Sequence, residues 1–507
     1  MQLLFYRGHI RNHAALCEEL GIAANSRRER EENIILKGYE KWGTALFCRL
    51  YGSFSFALKD GDRTILVRDQ FGTKPLYYHV CDDGRLLFSD QIRDILNTEG
   101  VEKQLNLKML QIYLTMTYTT GDETFFTGIK KLLSGRYLVY ENGKLNIFRY
   151  FRPEFSPCED KSLEEFSGEI HSTLLDIMGE VKEDGEMVES FLSGGVDSSY
   201  VLAVSDAPAA NSCGYDDSRL DESGLAAETA AILNRKFNRC VITPEDYFAA
   251  VPYVMKNMEQ PLGDASAVAF AIGCRAVSEH APICYSGEGA DEFFGGYNMY
   301  RNAERYGDNL KNFYIGNTNI MKEEEKRRLL KTYFENFEPI SLLSDIYAEN
   351  EGLDPLSKMT YVDIEVWLEG DIYLNVDKMS RAAGLEVRMP LTDPRIFKIA
   401  ASIPSKYKVS EEQNKIALRT AASKVLPEEI AFRKKLGFVV PIRMWLADSR
   451  YNGDMLRLWK SEIADKFFVR EELDAILEDY LGGNSDGWRK VYTIYAFLCW
   501  YEEYFLK

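Results

Sequence analysis

The sequence predicts an α+β region built on antiparallel sheets, followed by an α/β region with a parallel sheet and a helical C-terminal part. Three observations carry this. From Met1 to Phe151 short alternating runs dominate (Gly52 to Leu58, Arg63 to Val67, Pro75 to His79, Arg85 to Phe88), with polar breaks such as Asp60-Gly61-Asp62 between them. Alternation with tight breaks is the pattern of antiparallel strands and hairpins. From Leu163 onward, short strands and helical patterns succeed one another, which argues for a parallel sheet. Between the two, Arg152 to Ser162, with Pro153 and Pro157, reads as a linker, so the expected division is 1–152 and 160–507.

In the second region, Phe191-Leu192 ends a short strand and Ser198 to Val204 begins a helix. After Asp221-Glu222, residues Leu225, Thr229, Ile232 and Leu233 fall on one helical face. Ala265 to Val277 contains Ser266 and Arg275 and reads as a buried helix. No apolar stretch approaches the roughly 18 residues that cross a bilayer. The opening MQLLFYRGHI shows no cleavage-site pattern, so a cytoplasmic protein with no membrane partner is expected. Beyond Ser341 the chain reads as almost wholly helical. Its aromatic run from Trp488 to Phe505 suits either an internal core or a homodimer partner.

Composition narrows the function. The 507 residues carry 61 basic and 79 acidic side chains, a net charge of −18, and that field repels a long polyphosphate such as RNA or DNA. The nine cysteines form no C-x-x-C pair and there are five histidines, which disfavours a zinc site or a disulfide framework. A small anion can still bind where backbone amides and local cations outweigh the field.

Ser193-Gly194-Gly195-Val196-Asp197-Ser198-Ser199, between a strand and a helix, offers that local environment. Its glycines admit an anion close to the backbone. The helix start supplies N–H donors and the positive end of a dipole, and the serines add hydroxyls. A carboxylate at Asp197 makes sense beside phosphates chiefly as a magnesium ligand. The bland alternative is a glycine turn capped by serine.

This loop is similar to the signature of the N-type ATP pyrophosphatases. Three further segments resemble asparagine synthetases in particular. They are Ser286-Gly287-Glu288-Gly289-Ala290-Asp291-Glu292 with Gly295-Gly296-Tyr297, Asp377-Lys378-Met379-Ser380 with Gly384 to Arg388, and Leu418-Arg419 through Arg433-Lys434-Lys435-Leu436-Gly437-Phe438. The resemblance runs from about Leu163 to the C-terminus. It implies ATP and Mg2+, with the metal between Asp197 and Asp291, Glu288 as base toward an attacking nitrogen and Lys435 as the essential lysine. It also implies nucleotide or pyrophosphate contacts from Leu192, Val196, Gly214, Ser286, Gly287 and Lys378. Glu292, Asp377 and Arg388 are candidates for the acyl substrate. The plainer readings are dipole-favoured acids at Asp291 and Glu292, a surface charge at Lys435 and a structural pair between Arg388 and Glu386.

The first region resembles a class II glutamine amidotransferase domain, an N-terminal-nucleophile fold, through Arg68-Asp69-Gln70-Phe71-Gly72-Thr73-Lys74-Pro75 and Leu50 to Ala57. That chemistry uses an N-terminal cysteine. Here Gln2 follows Met1 and the earliest cysteine is Cys17, in a helical segment. A misplaced start explains the cysteine alone. It does not explain Arg7 at the family's oxyanion-hole asparagine, or Arg30-Glu31-Glu32-Asn33 at its glutamine-binding stretch. The expected protein is therefore an amide ligase that adenylates a small carboxylate, aspartate or a related acid, and uses ammonia or another amine after losing glutaminase activity. An intramolecular lactam- or macrolactam-forming cyclase, with a peptide substrate among its options, is the alternative. Against it, β-lactam synthetases carry tyrosine where this chain keeps Glu288.

Overall fold

The computed structural model describes residues 1–181, 185–216, 221, 223–434 and 440–507. The alternating runs of the first region become strands at the expected places: β1 (Gln2–Ile10), β2 (Gly52–Asp60), β3 (Arg63–Arg68), β4 (Tyr77–Val80), β5 (Leu86–Ser89), β6 (Lys130–Lys131), β7 (Arg136–Glu141) and β8 (Lys144–Arg149). They form two antiparallel sheets, ordered β1-β2-β3-β7-β8 and β5-β4-β6. Period-two alternation sorts their faces. Phe54, Phe56 and Leu58 of β2 join a core with Ile34 and Ile35 of the helix Arg27–Trp42. Ala57 faces the other way, with Leu66, Tyr78 and Leu138 between the sheets. The helix Arg27–Trp42 has no counterpart in the strand-rich reading of this region. Its local signal is Ser26, which caps it by accepting from Glu29 N.

The second region carries a five-stranded parallel sheet of β9 (Val188–Phe191), β10 (Ala209–Gly214), β11 (Lys236–Val241), β12 (Ile283–Tyr285) and β13 (Glu386–Arg388), ordered β11-β10-β9-β12-β13. From β9 the chain passes to β10 on one side, while β12 lies on the other. The carboxyl ends of β9 and β12 therefore flank a switch point, where open α/β sheets place ligands. The helices at Val196–Val204 and Ser266–Ser278 stand where the sequence puts them. The helix Ser223–Ile232 forms too, but its buried face is Ala226, Thr229 and Ala230, whereas Ile232 is 43% exposed. The expected apolar stripe is thus rotated, because small residues let this helix sit close to the sheet.

The aromatic tail lies in an internal core: Val491 to Tyr501 are all buried. That core also takes in Met109 to Met116 and Ile95, so packing runs across residue 152. Polar ties cross it as well. Arg68, fully buried, donates to Glu369 Oε1 at 2.5 Å and to three carbonyls, Leu132, Gly72 and Lys74, at 2.6–2.7 Å. Arg11 donates to the carbonyls of Met389 (3.0 Å) and Thr392 (2.7 Å). Among the described residues no helix is long and apolar enough to cross a membrane.

Candidate functional site

A cleft of about 270 Å³ opens at the carboxyl ends of β9, β10 and β12. Leu192, Ser193, Gly194, Gly195, Asp197 and Ser198 line one wall, and Ser286, Gly287, Glu288 and Asp291 line the next. The loop is self-braced: Ser193 N donates to Ser198 Oγ at 3.1 Å, and Gly195 N donates to Ser193 Oγ at 3.3 Å. The two motif loops touch. A Cβ on Gly287 would meet the Asp197–Ser198 peptide at 2.8 Å, so only glycine lets them converge.

Asp197 and Asp291 meet at one point, and that point is occupied by an ammonium. Lys415 Nζ lies 2.5 Å from Asp197 Oδ2 and 2.6 Å from Asp291 Oδ1, with its side chain only 1% exposed. Lys415 was not among the residues expected from the sequence. It has φ +56°, and Asn414 beside it donates to Gly296 O at 2.7 Å. A Cβ on Gly296 would overlap both Lys415 and Asp291. Arg419 holds the segment from the other side, bonding Asn414 O at 2.8 Å and the carbonyls of Ala431 and Arg433. Arg433 in turn reaches Leu225 O and Thr229 Oγ1, each at 3.2 Å, above the glycine loop. Asn211, Ser212 and Cys213 of β10, with Phe270 and Asn375, also line the cleft. The only sequence signal for Asn211, Ser212 and Cys213 is their position near a strand end, and Phe270 and Asn375 lie inside helices.

Magnesium fits this arrangement. Two carboxylates converge beside the ammonium, and Asp197 keeps a second oxygen, Oδ1, that Lys415 does not take and that is buried without a hydrogen-bond partner. A hard divalent cation takes oxygen donors of this kind. Among the described residues no group of three or more histidine, cysteine or acidic side chains is gathered for a metal. A cation here would draw its remaining ligands from phosphate and water.

The structure corrects several expected contacts. Lys378, expected on pyrophosphate, is buried elsewhere: its Nζ bonds Asp90 O at 3.0 Å and pairs with Glu259. Asp377 is held by Arg7 Nη1 (2.9 Å) and Lys74 Nζ (2.8 Å), outside the cleft. Arg388 pairs with Glu386 at 2.8 Å and Glu186 at 2.9 Å and donates to Val181 O, so the structural-pair reading holds. Glu292 turns inward and accepts from Tyr297 Oη at 2.6 Å. Burial, reinforced by the charge of Asp291, pushes its carboxyl up to about 8. Val196 and Ser199 sit behind the loop in the protein interior, and Gly214 packs against Asp221, Ser223 and Arg239. Lys435, with Leu436, Gly437, Phe438 and the earlier Glu222, lies outside the described residues.

Asp377 gives a pH dependence. Burial raises its carboxyl, but Arg7 and Lys74 outweigh burial and hold it at about 2. A depressed folded-state value contributes stability that is fully present above the unfolded value of roughly 4 and is lost as pH falls through the folded one. Melting curves between about pH 5 and pH 2 should show wild type losing more stability on acidification than Asp377→Asn. Parallel curves would remove Asp377 from the acid response.

Comparison with known proteins finds matches for both regions of the chain. A family model described as asparagine synthase matches residues 172–502, and one described as a glutamine amidotransferase domain matches residues 1–151. Glutamine-hydrolyzing asparagine synthetase 1 of Bacillus subtilis is 30% identical over 543 aligned residues, covering 98% of this chain and 85% of that protein. Glutamine-hydrolyzing asparagine synthetase 3 of the same organism is 24% identical, covering 94% and 81%. The fold and its matches define an ATP-dependent carbon–nitrogen ligase. The chain belongs to the asparagine synthase family.

Proposed function

We propose that this protein adenylates a substrate carboxylate, aspartate or a related small acid, on Mg-ATP and transfers the acyl group to ammonia or another free amine. The observation that carries the reading is the convergence of Asp197 and Asp291 at the end of the glycine loop, with Glu288 on the same wall. The loop amides and helix start hold phosphate. Asp197 and Asp291 would hold magnesium, which when bound would neutralise phosphate charge. Lys415 adds a second positive charge at that point. The substrate carboxylate attacks the α-phosphorus and pyrophosphate leaves. An amine then attacks the acyl carbon and AMP leaves, while Glu288 takes the proton from nitrogen.

Two features of the first domain favour ammonia as the nitrogen donor. Where the family keeps an oxyanion-hole asparagine, Arg7 stands, bonded to Asp90 and Asp377 at 2.9 Å each. Where glutamine would be bound, Glu31 is buried and accepts from Tyr6 Oη (2.8 Å) and Ile10 N (2.9 Å). Both substitutions support a domain that has become a scaffold, with free ammonium in place of glutamine.

The test is to incubate the protein with Mg-ATP, aspartate and either ammonium or glutamine, then measure pyrophosphate and product mass. Amide with ammonium alone is expected. Amide from glutamine without ammonium would overturn the scaffold reading, and a product lighter by water with no added nitrogen would support a cyclase instead. Glu288→Gln should keep carboxylate-dependent ATP–pyrophosphate exchange but lower amide formation about a hundredfold. Loss of both steps together would place Glu288 in adenylation, not in acyl transfer.

A further inference from the structure

Two cysteines that the proposed chemistry does not use lie side by side, and one of them, Cys213, lines the cleft. β10 and β11 run parallel with Cys213 directly opposite Cys240. Neighbouring strands lie about 4.8 Å apart, within the roughly 4.4–6.8 Å Cα separation that a disulfide spans. Register partners also point to the same face of the sheet. Both thiols are free and partly accessible, and β11 is the sheet edge. Cys213 lines the cleft, with Sγ 3.7 Å from Ala269 O and packed against Gly273.

We propose that Cys213 and Cys240 form a redox pair: a hydroperoxide converts them to a disulfide in the cleft wall, which weakens Mg-ATP binding. This rests on the nucleotide reading of the cleft. The balance is complete with hydrogen peroxide as oxidant. Cys240 Sγ attacks one peroxide oxygen, the O–O bond breaks, and a sulfenic acid and one water result. The Cys213 thiol then attacks that sulfur, the S–O bond breaks, and a second water leaves. Two thiols and one peroxide give one disulfide and two waters.

The chemistry assigns the roles. Cys240 lies on the edge strand, where a solvent oxidant arrives first, and its contact with Cys213 lowers its thiol against burial and the charges of Asp246 and Glu279. That makes Cys240 the first sulfur to meet the oxidant. The same contact, with burial, raises Cys213. It suits the resolving partner. Cys274, the neighbouring third thiol, is buried and raised beyond competition. Closing the bridge turns Cys213 Sγ from Ala269 toward the edge strand and draws on the cleft-lining stretch Asn211 to Cys213.

The experiment uses the full chain, reduced or treated with hydrogen peroxide, with non-reducing peptide mapping and calorimetric titration of Mg-ATP. A Cys213–Cys240 cross-link is expected, with ATP affinity about tenfold weaker and restored by dithiothreitol. Cys240→Ser should bind ATP as reduced wild type does and be insensitive to peroxide. Absence of that cross-link, or a cross-link with unchanged ATP affinity, overturns the proposal. Reduced wild type that fails to bind Mg-ATP overturns the nucleotide reading and with it the effect on binding, while the peptide map still decides the pair.

Discussion

Asp197→Ala should reduce carboxylate-dependent pyrophosphate release by about a thousandfold, or to background, because it removes one of the two carboxylates that would hold the cation neutralising phosphate. The structure makes this sharper than a lost contact. Asp197 and Asp291 share Lys415, so the variant leaves one carboxylate against one ammonium. That pair is internally neutral and holds no further cation well. Asp197→Asn, which keeps the shape, should fail similarly, with a melting temperature close to wild type. Pyrophosphate release that survives in both variants would remove the magnesium assignment.

The second large effect is on stability. Arg68→Met should destabilise the fold by about 3–5 kcal/mol, the range for breaking one side of a buried ion pair. Glu369 keeps Lys131 at 3.2 Å but loses its shorter partner, and three carbonyls lose a donor in a site that water does not reach. Because Arg68 and Glu369 come from opposite sides of residue 152, denaturant unfolding should also show whether both halves unfold together. A change below about 1 kcal/mol would mean the pair is not a structural tie.

What could be read from the sequence depended on how far apart the interacting residues lie along the chain. The glycine loop and the Ser286 to Glu292 segment were legible because each is one short strand-to-helix turn whose chemistry sits in adjacent residues. Their convergence depends on Gly287 backing onto Asp197, a contact across 90 positions that the glycine only permits. Lys415 was invisible for the same reason: Asn414 and Gly296, 118 residues apart, place it. Lys378 and Asp377 were misplaced because a charged residue in a family block looks ligand-like until its partner is known. Glu259, Arg7 and Lys74 are those partners, and they lie far away in sequence. Strands were found from alternation, whereas the polar helix Arg27–Trp42 carries too few apolar positions to announce itself except through Ser26.

The most direct measurement of the central claim is the fate of carboxylate oxygen. The protein would be given Mg-ATP, ammonium and aspartate labelled with heavy oxygen in its carboxylates, and the nucleotide and phosphate products analysed by mass. Attack of the carboxylate on the α-phosphorus puts one labelled oxygen into AMP and none into pyrophosphate, and that is the expected result. Label in inorganic phosphate, with ADP as the nucleotide product, would contradict adenylation and the site built around Asp197, Asp291 and Lys415.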